Sequence, residues 1–357
     1  MHEATDDDAT QSVSVSHASL YARTPCFRSA PISTAFGGGQ KECDVFLKME
    51  TGQPSGSFKL RGVSLSCLRA KEQGYEVLIS SSGGNAGLAV AVAGQSLGLP
   101  VQVFLPKSTP DAVADALRGY GAQVKVEGDM WSQANDAAMR EVERRNDEAK
   151  RPVAKLMHPF DDPIMWEGHA TLIEECYHDM SHLPPPSAVV CSVGGGGLLM
   201  GVLAGLKNTP SWSDVPVIAV ETVGANCLSR SLDAKGVVEL DAITSVAKSL
   251  GANKTTQLIY DTCASAVERG VLKSAVIDDA AAVQGAVTFL EAHRCIVEPA
   301  CGAAVAATLP SGGAAFEMAK SLHETRKGPV LVVACGGAVA TVSSLRAMAT
   351  DLGVAFP

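Results

Sequence analysis

The stretch Gln53-Pro54-Ser55-Gly56-Ser57-Phe58-Lys59-Leu60-Arg61-Gly62 sets one lysine beside an aromatic residue. A Pro-Ser-Gly turn precedes that lysine, and a helix-like run over 58–70 follows it. A lysine at a helix start meets the positive end of the helix dipole, which disfavours the ammonium form. The neutral amine is the form that Schiff-base chemistry needs. A plain solvated lysine at a helix start would read the same way, so the distinction rests on what surrounds it.

Three small-residue loops stand downstream: Ser81-Ser82-Gly83-Gly84-Asn85-Ala86-Gly87, Val193-Gly194-Gly195-Gly196-Gly197-Leu198 and Ala334-Cys335-Gly336-Gly337. Each follows a short apolar run that reads as a strand: 77–81, 188–193 and 329–334. Between them strands and helices alternate. Strands are predicted at 44–50, 101–105, 123–126 and 215–220, and helices at 85–97, 111–120, 131–150 and from 198. Alternation at these lengths predicts an α/β chain with doubly wound, mostly parallel sheets. The region 230–300 reads mainly as helices and loops. In such sheets ligands bind beyond the carboxyl ends of the strands, where the three loops would converge.

The tetraglycine loop opens a helix, and its amides can turn toward an anion with no Cβ in the way. Phosphate is the natural guest, with a tight strand-to-helix turn as the plain alternative. A dinucleotide loop would need a third glycine where Leu199 stands, although Glu221, at the end of the next strand, sits where a ribose-binding acid would. A nicotinamide-dependent dehydrogenase therefore stays open. The amides of Ser82, Gly83, Gly84, Asn85 and Ala86 suit a carboxylate, and Asn85 offers donor and acceptor to a ring hydroxyl or acts as a helix cap. Cys335 closes a buried strand and reads alone as a core thiol.

Composition narrows the class. The 357 residues are 46% hydrophobic and only 5% aromatic, with 34 glycines, as in a soluble α/β enzyme of two domains. A net charge of −9 and the lack of a Lys/Arg cluster interleaved with aromatics exclude a nucleic-acid surface. Ten cysteines form no C-x-x-C pair, and several lie in apolar runs, which suits a reducing cytosol. No apolar run reaches the roughly 18 residues of a membrane helix. The acidic, Ser/Thr-rich start carries no targeting signal and reads as a disordered tail over 1–18. His178 and His182 are spaced i, i+4 with no third ligand near and read as surface residues. The run from Glu141 to Glu148, with Arg140, Arg144 and Arg145, reads as a solvated helix face.

Taken together, the motifs resemble the fold-type II pyridoxal-phosphate enzymes of the tryptophan synthase β-like fold. Within them the serine/threonine dehydratases are nearest, especially animal-type L-serine dehydratase and the serine dehydratase-like group. The likeness spans nearly the whole chain from about residue 20 and rests on the lysine stretch and the three loops. It also includes Pro159-Phe160-Asp161-Asp162-Pro163, Trp166-Glu167-Gly168-His169-Ala170, Ile243-Thr244-Ser245-Val246-Ala247-Lys248 and Glu298-Pro299-Ala300-Cys301-Gly302-Ala303. The resemblance implies a large cofactor-binding domain from 19–51 and 158–357 and a small mobile domain over 52–157.

It further implies that Lys59 forms the Schiff base and moves the α-proton, with Phe58 on the pyridine face and Asn85 on the ring 3′-oxygen. Gly194, Gly195, Gly196, Gly197 and Leu198 would hold the phosphate, and Ser82, Gly83, Gly84, Asn85 and Ala86 the substrate carboxylate. Cys335 would face the pyridine nitrogen, where a thiol supplies little counter-charge and suits elimination of a β-hydroxyl. A monovalent, potassium-like cation would sit among Glu221, Ala225, Leu250 and Gly194. The implied reaction is that of a cytoplasmic, homodimeric L-serine ammonia-lyase giving pyruvate and ammonia, with slower turnover of L-threonine to 2-oxobutanoate. A serine racemase or β-replacement synthase of the same fold is the alternative, as is an amino-acid-binding pseudoenzyme. Racemases carry a proton-transferring serine where this chain has Gly83, and His where it has Ala86. The chain ends too soon after its last helix for the regulatory domain of biosynthetic threonine deaminases.

Overall fold

The computed structural model describes residues 15–38 and 43–357. Most of the expected tail, residues 1–14, lies outside the described residues. His17–Ser19 form a short 3-10 turn, and His17 Nε2 lies 2.7 Å from the Arg61 carbonyl oxygen.

Among the described residues, ten strands form two sheets: β1 (Cys26–Arg28), β2 (Val45–Met49), β3 (Val77–Ser80), β4 (Val101–Leu105), β5 (Gln123–Val126), β6 (Ala154–Leu156), β7 (Ala188–Ser192), β8 (Val217–Thr222), β9 (Leu272–Ile277) and β10 (Val330–Ala334). The larger sheet has the order β1-β2-β10-β7-β8-β9 and the smaller one β5-β4-β3-β6. Every pairing is parallel except that of β1 with β2. Strands β7 and β10 are buried at every residue, which explains their continuous Val, Leu and Ala runs: helices cover both faces.

The three glycine loops leave the carboxyl ends of strands flanked on both sides, β3, β7 and β10. The predicted helix at 85–97 is Asn85–Leu97, and the lysine stretch opens the helix Lys59–Glu72. The structure departs from the expectation in the region 230–300, which contributes the edge strand β9 as well as helices. Glu221 lies within β8, one residue short of its end.

The helix Lys59–Glu72 is pressed between the two halves of the molecule. Leu60, Val63, Cys67 and Leu68 join the apolar cluster under the smaller sheet. On the opposite side the helix meets Pro163–Asp179 through glycines: a Cβ on Gly62 would lie 2.3 Å from the Met165 carbonyl oxygen, and one on Gly168 would lie 2.6 Å from that of Arg61. Such backbone contact fixes where the helix begins, and so where Lys59 points.

Candidate active site

Lys59 is the first residue of its helix and Phe58 is the cap. The Phe58 amide donates to the Cys335 carbonyl oxygen at 3.0 Å, and Ser57 bridges to Gly336, so the lysine stretch is stitched to the loop after β10. The Lys59 residue keeps some exposed surface, but its amine is enclosed and donates to the Pro159 carbonyl oxygen at 2.6 Å. Burial lowers the amine from 10.5 to about 8, with Cys335 acting weakly in the other direction. The sequence reading assigned this shift to the helix dipole; the structure shows desolvation as the dominant cause. Behind Phe58 lies the ring of His169, its centroid 5.0 Å away and its Nε2 buried without a partner among the described residues.

Pro159 and Phe160 connect the lysine to the tetraglycine loop. A Cβ on Gly195 would stand 2.5 Å from the Phe160 ring, and one on Gly197 would stand 2.8 Å from the Phe160 carbonyl oxygen. Gly196 has φ +101° and caps the helix Gly197–Lys207. Among the described residues, the amides of Gly195, Gly196, Gly197 and Leu198 donate to no protein acceptor. Free amides at the start of an 11-residue helix form a site for an anion.

In the loop after β3 the amides divide. Ser82 N donates to Ser80 Oγ at 3.2 Å and Gly84 N to Ser82 Oγ at 3.3 Å, which leaves Gly83, Asn85 and Ala86 without acceptors among the described residues. Of the five amides expected to face a carboxylate, three are thus without a protein acceptor among the described residues. Gly84, not Asn85, is the helix cap. The Asn85 side chain reaches across instead: its Oδ1 accepts from the Ala338 amide at 2.9 Å, and its Nδ2 donates to both Glu298 oxygens at 3.0 and 3.2 Å. Glu298 was visible in the sequence only as part of a motif.

Cys335 is buried, with its sulfur 3.7 Å from Ser192 Oγ. Around Gly83, a Cβ would meet the apolar atoms Leu105 Cδ2 at 3.0 Å, Thr109 Cγ2 at 3.4 Å and Val113 Cγ1 at 3.7 Å. The residues singled out for a cation also cluster. A Cβ on Gly194 would lie 2.9 Å from Leu250 Cα, and the Gly194 carbonyl accepts weakly from the Cys227 thiol at 3.7 Å. Glu221 accepts from the Leu228 and Ser229 amides at 2.9 and 2.7 Å, and burial pushes its carboxyl up to about 8. Ala225 bridges to Thr222 on the same turn. Glu221 and Glu298 share one feature: among the described residues, neither pairs with a lysine or arginine. His178 and His182 are exposed, and no group of three metal-ligating side chains occurs among the described residues.

Residues 18–336 match the family described as pyridoxal-phosphate dependent enzyme. The chain belongs to that family. Within it, the chain is 41% identical over 330 residues to the serine dehydratase-like protein of Homo sapiens, covering 92% of this chain and 94% of that one. It is 38% identical over 340 residues to L-serine dehydratase/L-threonine deaminase of Mus musculus, covering 94% and 97%. In structure it resembles a fungal L-serine ammonia-lyase from Rhizomucor miehei, with a TM-score of 0.81, 28% identity and coverage of 93% of this chain and 99% of that one. Maize serine racemase follows at 0.76 and 25%, each chain covered to 94%. The expected fold class, a fold-type II pyridoxal-phosphate enzyme with parallel sheets, is thereby confirmed.

The residues present fit the family cofactor. An enclosed amine suits its aldehyde, unpartnered amides on a helix start suit its phosphoryl group, and Ser57 Oγ beside Phe58 is buried without a partner among the described residues. A thiol at 335, with no carboxylate hydrogen-bonded to it among the described residues, suits a pyridine nitrogen left uncharged.

Proposed function

We propose that the chain is an L-serine ammonia-lyase, converting L-serine to pyruvate and ammonia, with slower conversion of L-threonine to 2-oxobutanoate. The observation that carries this reading is the enclosed Lys59 amine, held near neutrality at about 8 and tied through Pro159 and Phe160 to a glycine loop with free amides. Likeness to relatives named for serine and threonine dehydration supports the substrate class.

Pyridoxal phosphate, when bound, supplies the electron-withdrawing ring that makes the substrate α-proton acidic. The chain does the rest. Lys59 would take the α-proton through its neutral amine, and Phe58 would cover one ring face. Asn85 would hold the ring oxygen, and Gly194, Gly195, Gly196, Gly197 and Leu198 would hold the phosphoryl tail. The free amides of Gly83, Asn85 and Ala86 would fix the substrate carboxylate. Loss of the α-proton and the β-hydroxyl, together one water, yields 2-aminoacrylate, which takes up a water to give pyruvate and ammonia. Gly83 offers no group to return a proton from the opposite face, and its surroundings are apolar, which disfavours racemisation. The β3–β6 half, over 52–157, would close on the cleft and exclude water.

We further propose a monovalent cation at Glu221, Ala225, Leu250 and Gly194, supported by the contact of Gly194 with Leu250 and by a buried carboxylate that, among the described residues, lacks a lysine or arginine partner. Ten free cysteines suit a reducing cytosol, and family likeness suggests a homodimer, which light scattering would test. The main test is an absorbance spectrum of the purified protein, followed by addition of L-serine. A visible cofactor band and pyruvate release are expected in the wild type, and neither in Lys59→Ala. Accumulation of D-serine without pyruvate would overturn the reading.

A further inference from the structure

Glu298 is 3% exposed, yet no lysine or arginine among the described residues neutralises it. A buried carboxylate is expensive unless hydrogen bonds replace the water it loses. Its replacements come from three separate elements. Asn85 Nδ2 donates to both oxygens, the Val339 amide to Oε1 at 3.1 Å, and Ser249 Oγ to Oε2. Asn85 starts the helix after β3, whereas Val339 follows β10 and Ser249 lies in the turn Lys248–Leu250. The carboxylate thus links the helix that follows a strand of the smaller sheet to segments that follow strands of the larger one. The loop passes directly over it: a Cβ on Gly337, whose φ is +137°, would lie 2.3 Å from Glu298 Cδ.

The Asn85 carboxamide is held at both ends. The Ala338 amide requires an acceptor and Glu298 requires a donor, so only one of the two amide rotations satisfies both. One Nδ2 hydrogen directed between the two carboxylate oxygens meets both distances and leaves the other free.

We propose that Glu298 is a positioning residue, which fixes the rotation of the Asn85 carboxamide and thereby holds its remaining N–H ready for the ring oxygen of the cofactor. The inference rests on the cofactor-binding reading given above. It makes the affinity for pyridoxal phosphate depend on a residue that touches the cofactor only through Asn85. Glu298→Gln sets an amide where Asn85, Val339 and Ser249 all need an acceptor.

The test is a double-mutant cycle read by pyridoxal phosphate titration, following tryptophan fluorescence and the visible band, with thermal melting of each apoprotein alongside. Glu298→Gln is expected to weaken binding roughly tenfold or more and to shift the band. In an Asn85→Ala background the same change should add nothing to that loss, because its route to the cofactor is gone. Asn85→Asp, which sets a carboxylate against Glu298, should weaken binding more than Asn85→Ala does, and that excess should vanish when combined with Glu298→Gln. Additive losses, or unchanged affinity in Glu298→Gln, overturn the inference while wild-type binding stands. A wild-type chain that takes up no cofactor overturns the functional reading and this inference together.

Discussion

The Lys59 amine and the Pro159 carbonyl oxygen lie 2.6 Å apart, although 100 residues separate them in the chain. The acceptor is neutral, so nothing there holds the proton on the amine as a carboxylate would. With the amine at about 8, roughly one molecule in eleven carries it neutral at pH 7 and about half do at pH 8. Uptake of pyridoxal phosphate by the apoprotein is therefore expected to accelerate roughly fivefold from pH 7 to 8 and to level off above pH 9. An ordinary lysine would instead gain close to tenfold per unit through that range. Stopped-flow absorbance distinguishes the two. Stability follows the same proton: the folded form releases it near 8 and the unfolded form near 10.5, so the unfolded chain holds more protons between those values. Apoprotein stability should rise with pH across that window, and Lys59→Met should lack the rise.

Gly195→Ala tests the proposed phosphate loop. The added Cβ would stand 2.5 Å from the Phe160 ring, which cannot simply retreat because Trp166 Nε1 donates to the Phe160 carbonyl oxygen at 2.7 Å. The loop must then shift, and cofactor affinity is expected to fall roughly tenfold or more. Adding Phe160→Ala should restore part of it. Equilibrium titration of both variants provides the check.

Cys335→Ala should behave differently. Among the described residues the thiol meets Ser192 Oγ at 3.7 Å, the Gly336 carbonyl at 4.0 Å and the Cys301 thiol, all weak contacts for sulfur. Cofactor affinity should stay within about threefold, since none of the other proposed cofactor contacts involves this sulfur. The pyruvate rate is expected to change if, as proposed, this thiol faces the ring nitrogen. A loss of cofactor comparable to that in Lys59→Ala would remove Cys335 from this role.

The elements that the sequence made plain are those whose signals are local. The helix Asn85–Leu97 and strands β4 and β5 carry their own periodicity and are bounded by glycine, proline or polar residues. Strand β6 is only Ala154-Lys155-Leu156, too short to show a period, and β9 is half exposed in a region dense with helix formers. The candidate site is marked in the sequence by its glycine loops and a lysine, which the fold brings together. Glu298 is not so marked, because a glutamate before proline reads as a helix start and its partner Asn85 lies 213 positions away. Nor could spacing reveal that desolvation, set by distant segments such as Pro159, governs Lys59.

Arg61 stands two residues beyond Lys59 and points the other way, since two helical steps turn through about 200°. Its guanidinium is fully buried and grips two carboxylates bidentately. Nε and Nη2 donate to Glu50 at 2.7 and 2.8 Å, and Nη1 and Nη2 donate to Glu175 at 2.8 Å each. Lys48 completes the set on Glu175 at 2.5 Å, so two cations face two anions. Removing one member leaves a buried charge unmatched, which costs about 3–5 kcal/mol. Arg61→Met should lose that much in urea unfolding of the apoprotein. Arg61→Lys should not restore it, because an ammonium cannot make two planar bidentate pairs. The helix start carries Lys59, the proposed reactive amine, and losing its anchor should also lower cofactor occupancy in the variant that remains folded. Unfolding unchanged by Arg61→Met would show that the ion network does not hold the fold, and unchanged cofactor occupancy that it does not seat Lys59.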